Sequence, residues 1–255
     1  MIRSRTLALI GTIAAGTLLV GYTAQADPGS RTGQVESVSP ALAKYDRERV
    51  QQLWNDAGLS RRDRGLVTLA VLISNGQTTE LGRFTDRALD DGLSAAEISE
   101  TVTHLAFYAG WQNAKAAVPV IAEVFDEHGI DADQLPERDP DLLPQDQEAE
   151  RAREKSVQED YGSVSQGVVD DTDDVLFDDL WLRPDLKPRD RSLVTVVALI
   201  STGQSGQITF HLNRAMDNGV TADEVDALLN HAAYFAGWPK VFTAMPVIRE
   251  VLESR

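Results

Sequence analysis

The chain has 255 residues, with 40 Asp and Glu against 24 Lys and Arg, which gives a net charge of −16 at neutral pH. A surface this acidic repels nucleic acid and anionic membranes, so neither is expected as a partner. There is no cysteine, which excludes disulfides, thiolate nucleophiles and zinc–thiolate sites and leaves packing to stabilise the fold.

The first 26 residues have the pattern of a secretory signal peptide. Arg3 and Arg5 precede an apolar run over residues 7–20, and residues 24–26 (AQA) have the A-x-A form of a cleavage site. An uncleaved membrane anchor is the alternative, but the run is shorter than the roughly 20 apolar residues of a spanning helix. We therefore expect an exported protein, periplasmic or secreted, that is free of the membrane after cleavage.

The remaining chain contains two copies of one sequence. Residues 62–124 align without a gap to residues 189–251, with about 28 identities over 63 positions. We expect the copies to occupy residues 27–130 and 172–255, joined by an acidic linker at 131–171. The linker is rich in Pro, Asp and Glu, with a solvated helix at about 145–160, and no chemistry is assigned to it.

Each copy has a helical pattern. Residues 63–74 and 190–201 are dense in Leu, Val, Ile and Ala over about a dozen positions, a length that favours a buried helix over a strand. Ser94 with Glu97, and Thr221 with Glu224, have the spacing of capping boxes that begin a helix. The sequence therefore predicts an all-α fold of packed helical hairpins in both copies.

The second copy carries an unusual polar helix face. If residues 207–217 are helical, four polar side chains lie three to four residues apart: Gln204, Gln207, His211 and Arg214. The next helix repeats the spacing with His231, Tyr234 and, past its end, Trp238, which we expect to form the opposing wall. Because His211 corresponds to Phe84 in the first copy, a role in function is favoured for it over a role in folding.

Other polar residues occur in both copies, so the fold alone explains them as well as chemistry does. His104 and His231 are equivalent, and a structural hydrogen bond is the favoured interpretation for both. Arg64 and Arg191 are also equivalent, and ion pairs at a helix start would account for them. Arg87 and Arg214 are open to the same objection. His211 and His231 lack an obvious third ligand, so no metal site is predicted.

Three motifs of the second copy, RDRSLVTVVALISTGQ, FHLNRAMDNGVTADEV and HAAYFAGWP, resemble the carboxymuconolactone decarboxylase family in a secreted tandem form. More broadly, they resemble the superfamily of the alkylhydroperoxidase D proteins. The resemblance implies a duplicated alkylhydroperoxidase D-like helical domain. It also implies ring assembly, so that a tandem chain would form a trimer that imitates a six-domain ring.

The peroxidase branch of that superfamily uses a C-x-x-C-x-x-x-H element, which falls on Gln204, Gln207 and His211. In the first copy the element falls on Gln77, Glu80 and Phe84. Both cysteines are missing from both copies, so no thiol can attack a peroxide. Thiol-dependent peroxidase activity is therefore excluded.

The decarboxylase branch implies a small carboxylated lactone as substrate and needs no cofactor. In this interpretation His211 delivers a proton to carbon, Arg191 and Arg214 hold a substrate carboxylate, and Gln204 and Gln207 act as neutral donors. The wall residues His231, Tyr234 and Trp238 complete the substrate site. Two alternatives stay open: a non-catalytic oligomeric binding or scaffold protein, and an isomerase or hydrolase that uses the same histidine.

Overall fold

The computed structural model describes residues 31–255, and the signal peptide predicted at residues 1–26 lies outside this range. Within it the chain is all-α, without a β-strand, as the sequence predicts. Helices α1 (Arg31–Val38) and α2 (Pro40–Tyr45) pack on each other in a first compact unit that ends at Glu48. No helix of the described residues is long and apolar enough to span a membrane.

A second compact unit, residues 49–255, holds both repeats. After α3 (Gln51–Leu53), the first repeat has four helices: α4 (Arg61–Ser74), α5 (Leu81–Asp90), α6 (Ala95–Ala109) and α7 (Trp111–Glu127). The linker contains α8 (Gln147–Tyr161) and α9 (Gln166–Asp171). The second repeat has the same four helices: α10 (Pro188–Thr202), α11 (Ile208–Asp217), α12 (Ala222–Ala236) and α13 (Trp238–Glu253). Single turns of 3₁₀ or π-helix lie at Ala132–Gln134, Thr172–Phe177, Leu180–Leu182 and Ser205–Gln207.

Helices α4 and α10 pack against each other and are buried over nearly their whole length. Ser60 caps α4 by accepting a hydrogen bond from the Asp63 amide at 3.0 Å. Pro188 occupies the first turn of α10, where its missing amide hydrogen has no helical partner to lose. A helix that is apolar on all sides is stable only inside a core. The prediction of two buried helices is therefore confirmed.

Each repeat supplies one helix to the core of the other. Helix α6 of the first repeat packs on α10, and α12 of the second packs on α4. Both crossing helices begin with the predicted capping boxes, at Ser94 with Glu97 and at Thr221 with Glu224. The exchange places side chains of α6 and α12 beside the central helix of the opposite repeat.

Ion pairs also cross between the repeats in two equivalent sets. Arg62 binds Asp190 with its Nη2 2.6 Å from Oδ2, and Arg189 binds Asp63 with its Nη2 2.9 Å from Oδ2. Each arginine also contacts the capping-box glutamate of its own repeat. Since both aspartates are buried, each pair ties a desolvated carboxylate to the opposite repeat.

The linker helix α8 is not solvated on all sides, which corrects the expectation from its charge. Glu150 and Arg153 are buried on one face, where Arg153 binds Glu150 and also Asp173, with Nη2 2.6 Å from Oδ1. The Arg153 guanidinium lies 4.1 Å from the ring centroid of Phe177. Because these contacts hold α8 against the start of the second repeat, the linker belongs to the packed structure.

Candidate active site

The exchange of helices creates two equivalent histidine–threonine pairs. His104 Nε2 lies 2.7 Å from Thr195 Oγ1, and His231 Nε2 lies 2.8 Å from Thr68 Oγ1. Each threonine hydroxyl donates to a backbone carbonyl of its own helix, so it must accept from the histidine. Nε2 therefore carries the hydrogen in both rings, and Nδ1 faces an arginine Nη1 at 3.4 Å.

These contacts occupy both ring nitrogens of His104 and of His231, and both side chains are buried. Burial, reinforced by nearby arginines, lowers the pKa of His231 to about 3 and that of His104 well below its usual value. Both imidazoles are therefore neutral at neutral pH, with no nitrogen left for a substrate. The geometry supports the structural interpretation of both histidines and gives His231 no place in a substrate-binding wall.

The surroundings of the two pairs differ in polarity. Around His231 the neighbours are mostly apolar, whereas the equivalent positions around His104 are polar. Five residues around His231 correspond to five residues around His104: Phe84 to His211, Phe235 to Tyr108, Ala227 to Glu100, Trp54 to Trp181, and Arg87 to Arg214. Only the second set offers groups suited to acid–base chemistry.

His211 lies in an aromatic cage at the polar end. Its ring stacks on Trp181, with centroids 6.0 Å apart, and meets the rings of Tyr108 and Phe210 edge-on at 5.3 and 5.0 Å. Neither ring nitrogen has a hydrogen bond to a described residue, and Nδ1 is buried. Burial and the charge of Arg214 lower the pKa of His211 to about 4. The resting imidazole is therefore neutral and has no hydrogen-bond partner among the described residues.

Arg214 forms no salt bridge among the described residues, and the carboxylate of Glu150 acts on its charge from beyond salt-bridge distance. Its guanidinium lies 4.4 Å from the ring centroid of Trp181, and its Nε is buried without a hydrogen bond. The equivalent Arg87 binds Asp91, with Nε 3.2 Å from Oδ2. The position equivalent to Asp91 holds Asn218, whose amide donates to Ser192 Oγ instead. One repeat thus neutralises its arginine, and the other leaves the positive charge available.

A pocket of about 550 Å³ opens beside Arg214. Its wall combines the second repeat with the linker. It is lined by Leu143, Pro144, Gln145, Asp146, Ala149, Glu150, Arg153, Trp181, Leu182, Pro188, Phe210, Asn213, Arg214, Asp217 and Asn218. The linker, to which the sequence assigned no chemistry, therefore supplies much of this wall. Trp181 and Phe210 separate the pocket from His211.

The structure brings together His211 and Arg214 of the predicted site, and Arg191 lies behind them. Arg191 is fully buried and already bound, with its Nη2 2.9 Å from Glu100 Oε2 and 3.0 Å from the Arg183 carbonyl. It therefore holds the site together and is not free to bind a substrate carboxylate.

The two glutamines do not share a helical face with His211. Gly203 has a left-handed backbone with φ of 76°, a 3₁₀ turn follows, and α11 begins only at Ile208. This break in helical periodicity leaves Gln204 and Gln207 exposed. Tyr234 and Trp238 contact each other at 4.7 Å between centroids, and Trp238 is 48% exposed at the start of α13. Neither ring lines the pocket.

Sequence reasoning missed Tyr108, Trp181, Glu100 and Asn218. Trp181 Nε1 donates to the Tyr108 hydroxyl at 2.9 Å, and burial raises the pKa of Tyr108, so that its hydroxyl keeps its proton. A signal for three of them was present, because Tyr108, Glu100 and Asn218 differ in polarity from their counterparts as His211 does from Phe84. Trp181 occurs in both copies and carried no such signal.

The buried Glu100 accepts from two arginines, with Oε2 2.9 Å from Arg191 Nη2 and Oε1 2.8 Å from Arg183 Nε. We expect Glu100→Ala to lower the free energy of unfolding by about 3–5 kcal/mol, because it leaves the buried Arg191 without its counterion. Urea denaturation followed by far-ultraviolet circular dichroism measures this loss. A cost below about 1 kcal/mol would show that Arg191 finds another partner.

Comparison with known proteins places this chain in a family. The model of the carboxymuconolactone decarboxylase family matches the chain twice, at residues 40–123 and 167–250. The chain belongs to the carboxymuconolactone decarboxylase family. The double match confirms both the resemblance in the motifs and the duplication. His211, Arg214 and Trp181 lie inside the second match, whereas the pocket residues of the linker from Leu143 to Arg153 lie between the two.

Two curated relatives in this family are decarboxylases by name. A 76-residue segment, 30% of this chain, is 37% identical to 4-carboxymuconolactone decarboxylase of Acinetobacter baylyi and covers 57% of that protein. A 58-residue segment, 23% of this chain, is 40% identical to nitrosuccinic acid decarboxylase npaB of Metarhizium robertsii and covers 41% of it. The chain thus spans about half the length of the curated relatives it matches.

A solved structure shares the fold. It is described as a gamma-carboxymuconolactone decarboxylase subunit of Burkholderia xenovorans and matches 88% of this chain and 92% of its own, with a TM-score of 0.52 and 19% identity. The likeness extends over most of both chains and shows a shared fold.

Proposed function

We propose that this protein is a cofactor-independent decarboxylase that binds an acid at Arg214 and protonates the product carbon with His211. The observation that carries the proposal is Arg214, which lines a pocket and forms no salt bridge among the described residues, whereas the other repeat pairs the equivalent arginine with Asp91. A partly desolvated cation that lacks a directly bound carboxylate favours a bound anion. The names of both curated relatives support loss of CO2 from a carboxylic acid as the reaction.

In this mechanism the carbon–carboxylate bond breaks and CO2 leaves. The electron pair of that bond passes into an adjacent carbonyl as an enolate, whose charge Arg214 stabilises. A proton from the His211 imidazolium then forms the new C–H bond, and the imidazole returns to its neutral resting state. Since Trp181 and Phe210 lie between His211 and the pocket, this step requires one of these rings to shift when the substrate binds. The net change is replacement of CO2 by a proton, with no oxidation and no electron acceptor.

The resting state of His211 fits this order of events. Burial and the positive charge of Arg214 keep the imidazole neutral in the empty site. A substrate carboxylate at Arg214 cancels the second of these causes and so raises the pKa of His211. The catalytic acid therefore forms more readily with the substrate bound than in the empty site.

The test is release of CO2 from 4-carboxymuconolactone and from nitrosuccinic acid by the purified chain, beside His211→Phe. Phenylalanine is the residue of the first repeat at this position, so the variant is expected to pack. We expect at least about a 10²-fold loss of kcat, because the proton donor is gone. Phe84→Leu, at the equivalent position of the other repeat, is the matched control and should retain turnover.

Turnover that survives in His211→Phe would remove this histidine from the chemistry. A folded protein that releases no CO2 from either acid, nor from a β-keto acid with a single carboxylate such as benzoylacetate, would favour the binding or scaffold alternative. Export and assembly into a trimeric ring remain proposals that rest on the sequence. The outer helices support self-association, since α7 exposes Trp111 and Val118 while α13 exposes Trp238, Phe242 and Met245.

A further inference from the structure

The charges around the pocket allow one carboxylate and disfavour a second. Arg153 is paired with Glu150 and Asp173, and Asp217, another acidic residue of the wall, is paired with Arg255. Arg214 is thus the one cation lining this pocket that forms no salt bridge among the described residues. A second carboxylate on the same ligand would find no second unpaired cation and would meet Asp146, which has no ion pair among the described residues.

Apart from Gln145, Asn213 and Asn218, the rest of the wall is apolar and partly aromatic. Trp181, Leu182 and Phe210 come from the second repeat, and Leu143, Pro144 and Ala149 come from the linker. The linker is fixed in place there, because the Leu143 amide donates to the Leu182 carbonyl at 2.7 Å. The Gln145 side chain also donates to Asp178 at 2.9 Å. These linker residues lie outside both segments that match the family, so this wall is a feature of the tandem chain.

The pocket is also large. A volume of about 550 Å³ lies within the roughly 300–1,000 Å³ of sites that enclose drug-sized ligands. A small polar acid would leave most of the apolar wall in contact with water, which gives up the free energy of burying it.

We propose that the substrate is an acid with one carboxylate and a bulky apolar or aromatic body. The carboxylate binds Arg214, and the body packs between Trp181, Phe210 and the linker residues Leu143 and Ala149. This inference rests on the proposed function for the identity of the site and adds the class of substrate. For decarboxylation such an acid must carry its own electron sink, a carbonyl group at the β position, since the chain supplies none.

The test is calorimetric binding of three non-reacting probes to the full chain: cinnamate, its uncharged amide cinnamamide, and the dicarboxylate cis,cis-muconate. We expect cinnamate to bind at least about 10-fold more tightly than either of the others, because it alone satisfies both the charge and the apolar wall. Arg214→Gln should lower the affinity for cinnamate to that for cinnamamide.

The role of the linker is tested with a matched pair of substitutions on α8, each of which introduces a negative charge. Ala149 is exposed and lines the pocket, whereas Ala152 is exposed on the same helix and does not line it. Ala149→Glu should weaken cinnamate at least about 10-fold through repulsion and lost apolar contact, and Ala152→Glu should leave it within about twofold.

The inference would be overturned if muconate bound as tightly as cinnamate, or if the two substitutions changed the affinity for cinnamate equally. The probes do not react, so binding is scored separately from turnover. Preference for cinnamate without CO2 release from any acid would sink the decarboxylase proposal and leave the ligand class standing. Efficient turnover of 4-carboxymuconolactone together with preference for muconate would support the decarboxylase proposal and contradict the proposed class of substrate.

Discussion

Arg214→Gln is expected to lower kcat/KM by about 10³-fold. Loss of a charged hydrogen-bonding partner from a desolvated pair costs about 2–5 kcal/mol, and each 1.4 kcal/mol is a factor of ten. The loss should appear in kcat as well as in KM, since Arg214 faces the negative charge on the substrate and again on the enolate. Steady-state rates of CO2 release at saturating and limiting substrate separate the two parameters.

Two further variants show whether the charge itself is responsible. Arg87→Gln changes the equivalent arginine, which Asp91 already neutralises, and turnover should stay within about threefold because that site takes no substrate. Asn218→Asp places an acid where the first repeat has Asp91, and it should inactivate the enzyme nearly as far as Arg214→Gln by neutralising the guanidinium internally. Full activity in Asn218→Asp would contradict a role for the unpaired charge.

Acid is expected to destabilise the fold strongly through its buried histidines. His104, His211 and His231 all have a lowered pKa in the folded state, to about 4 for His211 and about 3 for His231. The unfolded chain takes up these protons near pH 6.5 and the folded chain does not. Stability is therefore complete above pH 6.5 and falls as the pH drops toward the folded-state values.

Between pH 6.5 and pH 5 each of these histidines should withdraw about 1.6 kcal/mol, or about 5 kcal/mol together, because the unfolded imidazole is already half protonated at pH 6.5. This is a large part of the 5–15 kcal/mol that stabilises a typical domain. Urea denaturation at a series of pH values gives the slope. His211→Phe should reduce the slope by about 1.4 kcal/mol per pH unit, the contribution of one proton, and Phe84→Leu should not change it. Equal slopes in His211→Phe and the wild type would show that His211 is protonated in the folded protein.

Local patterns predicted most of the fold. The capping boxes at Ser94 and Thr221 and the apolar runs of α4 and α10 depend on neighbours within a few residues, which is the range that a sequence pattern records. The duplication added a second, independent copy of each signal. Gln204 was predicted wrongly, because the left-handed Gly203 ends α10 one residue earlier. This break interrupts the helical periodicity on which the predicted polar face depended.

The site was harder to predict because it is assembled from distant segments. His211 and Arg214 were found from one polar helix face, but their neighbour Tyr108 comes from α6 of the other repeat, 103 positions earlier in the numbering. No spacing within one repeat records that contact. The linker wall was missed for a related reason. The many charged residues of α8 predict a helix exposed on all sides, whereas Glu150 and Arg153 are buried on one face.

The exchange of α6 and α12 between the repeats has a consequence for how this chain could diversify. In a symmetric dimer of single repeats, every substitution appears in both equivalent sites. An unpaired charge introduced into one cavity is therefore also introduced into the other. Fusion of two copies removes that constraint. The site around His231 could become apolar and stabilise the fold. The other site could then keep the buried polar groups without partners that catalysis needs. Under the proposed function, the stability of one half thus sustains the reactivity of the other.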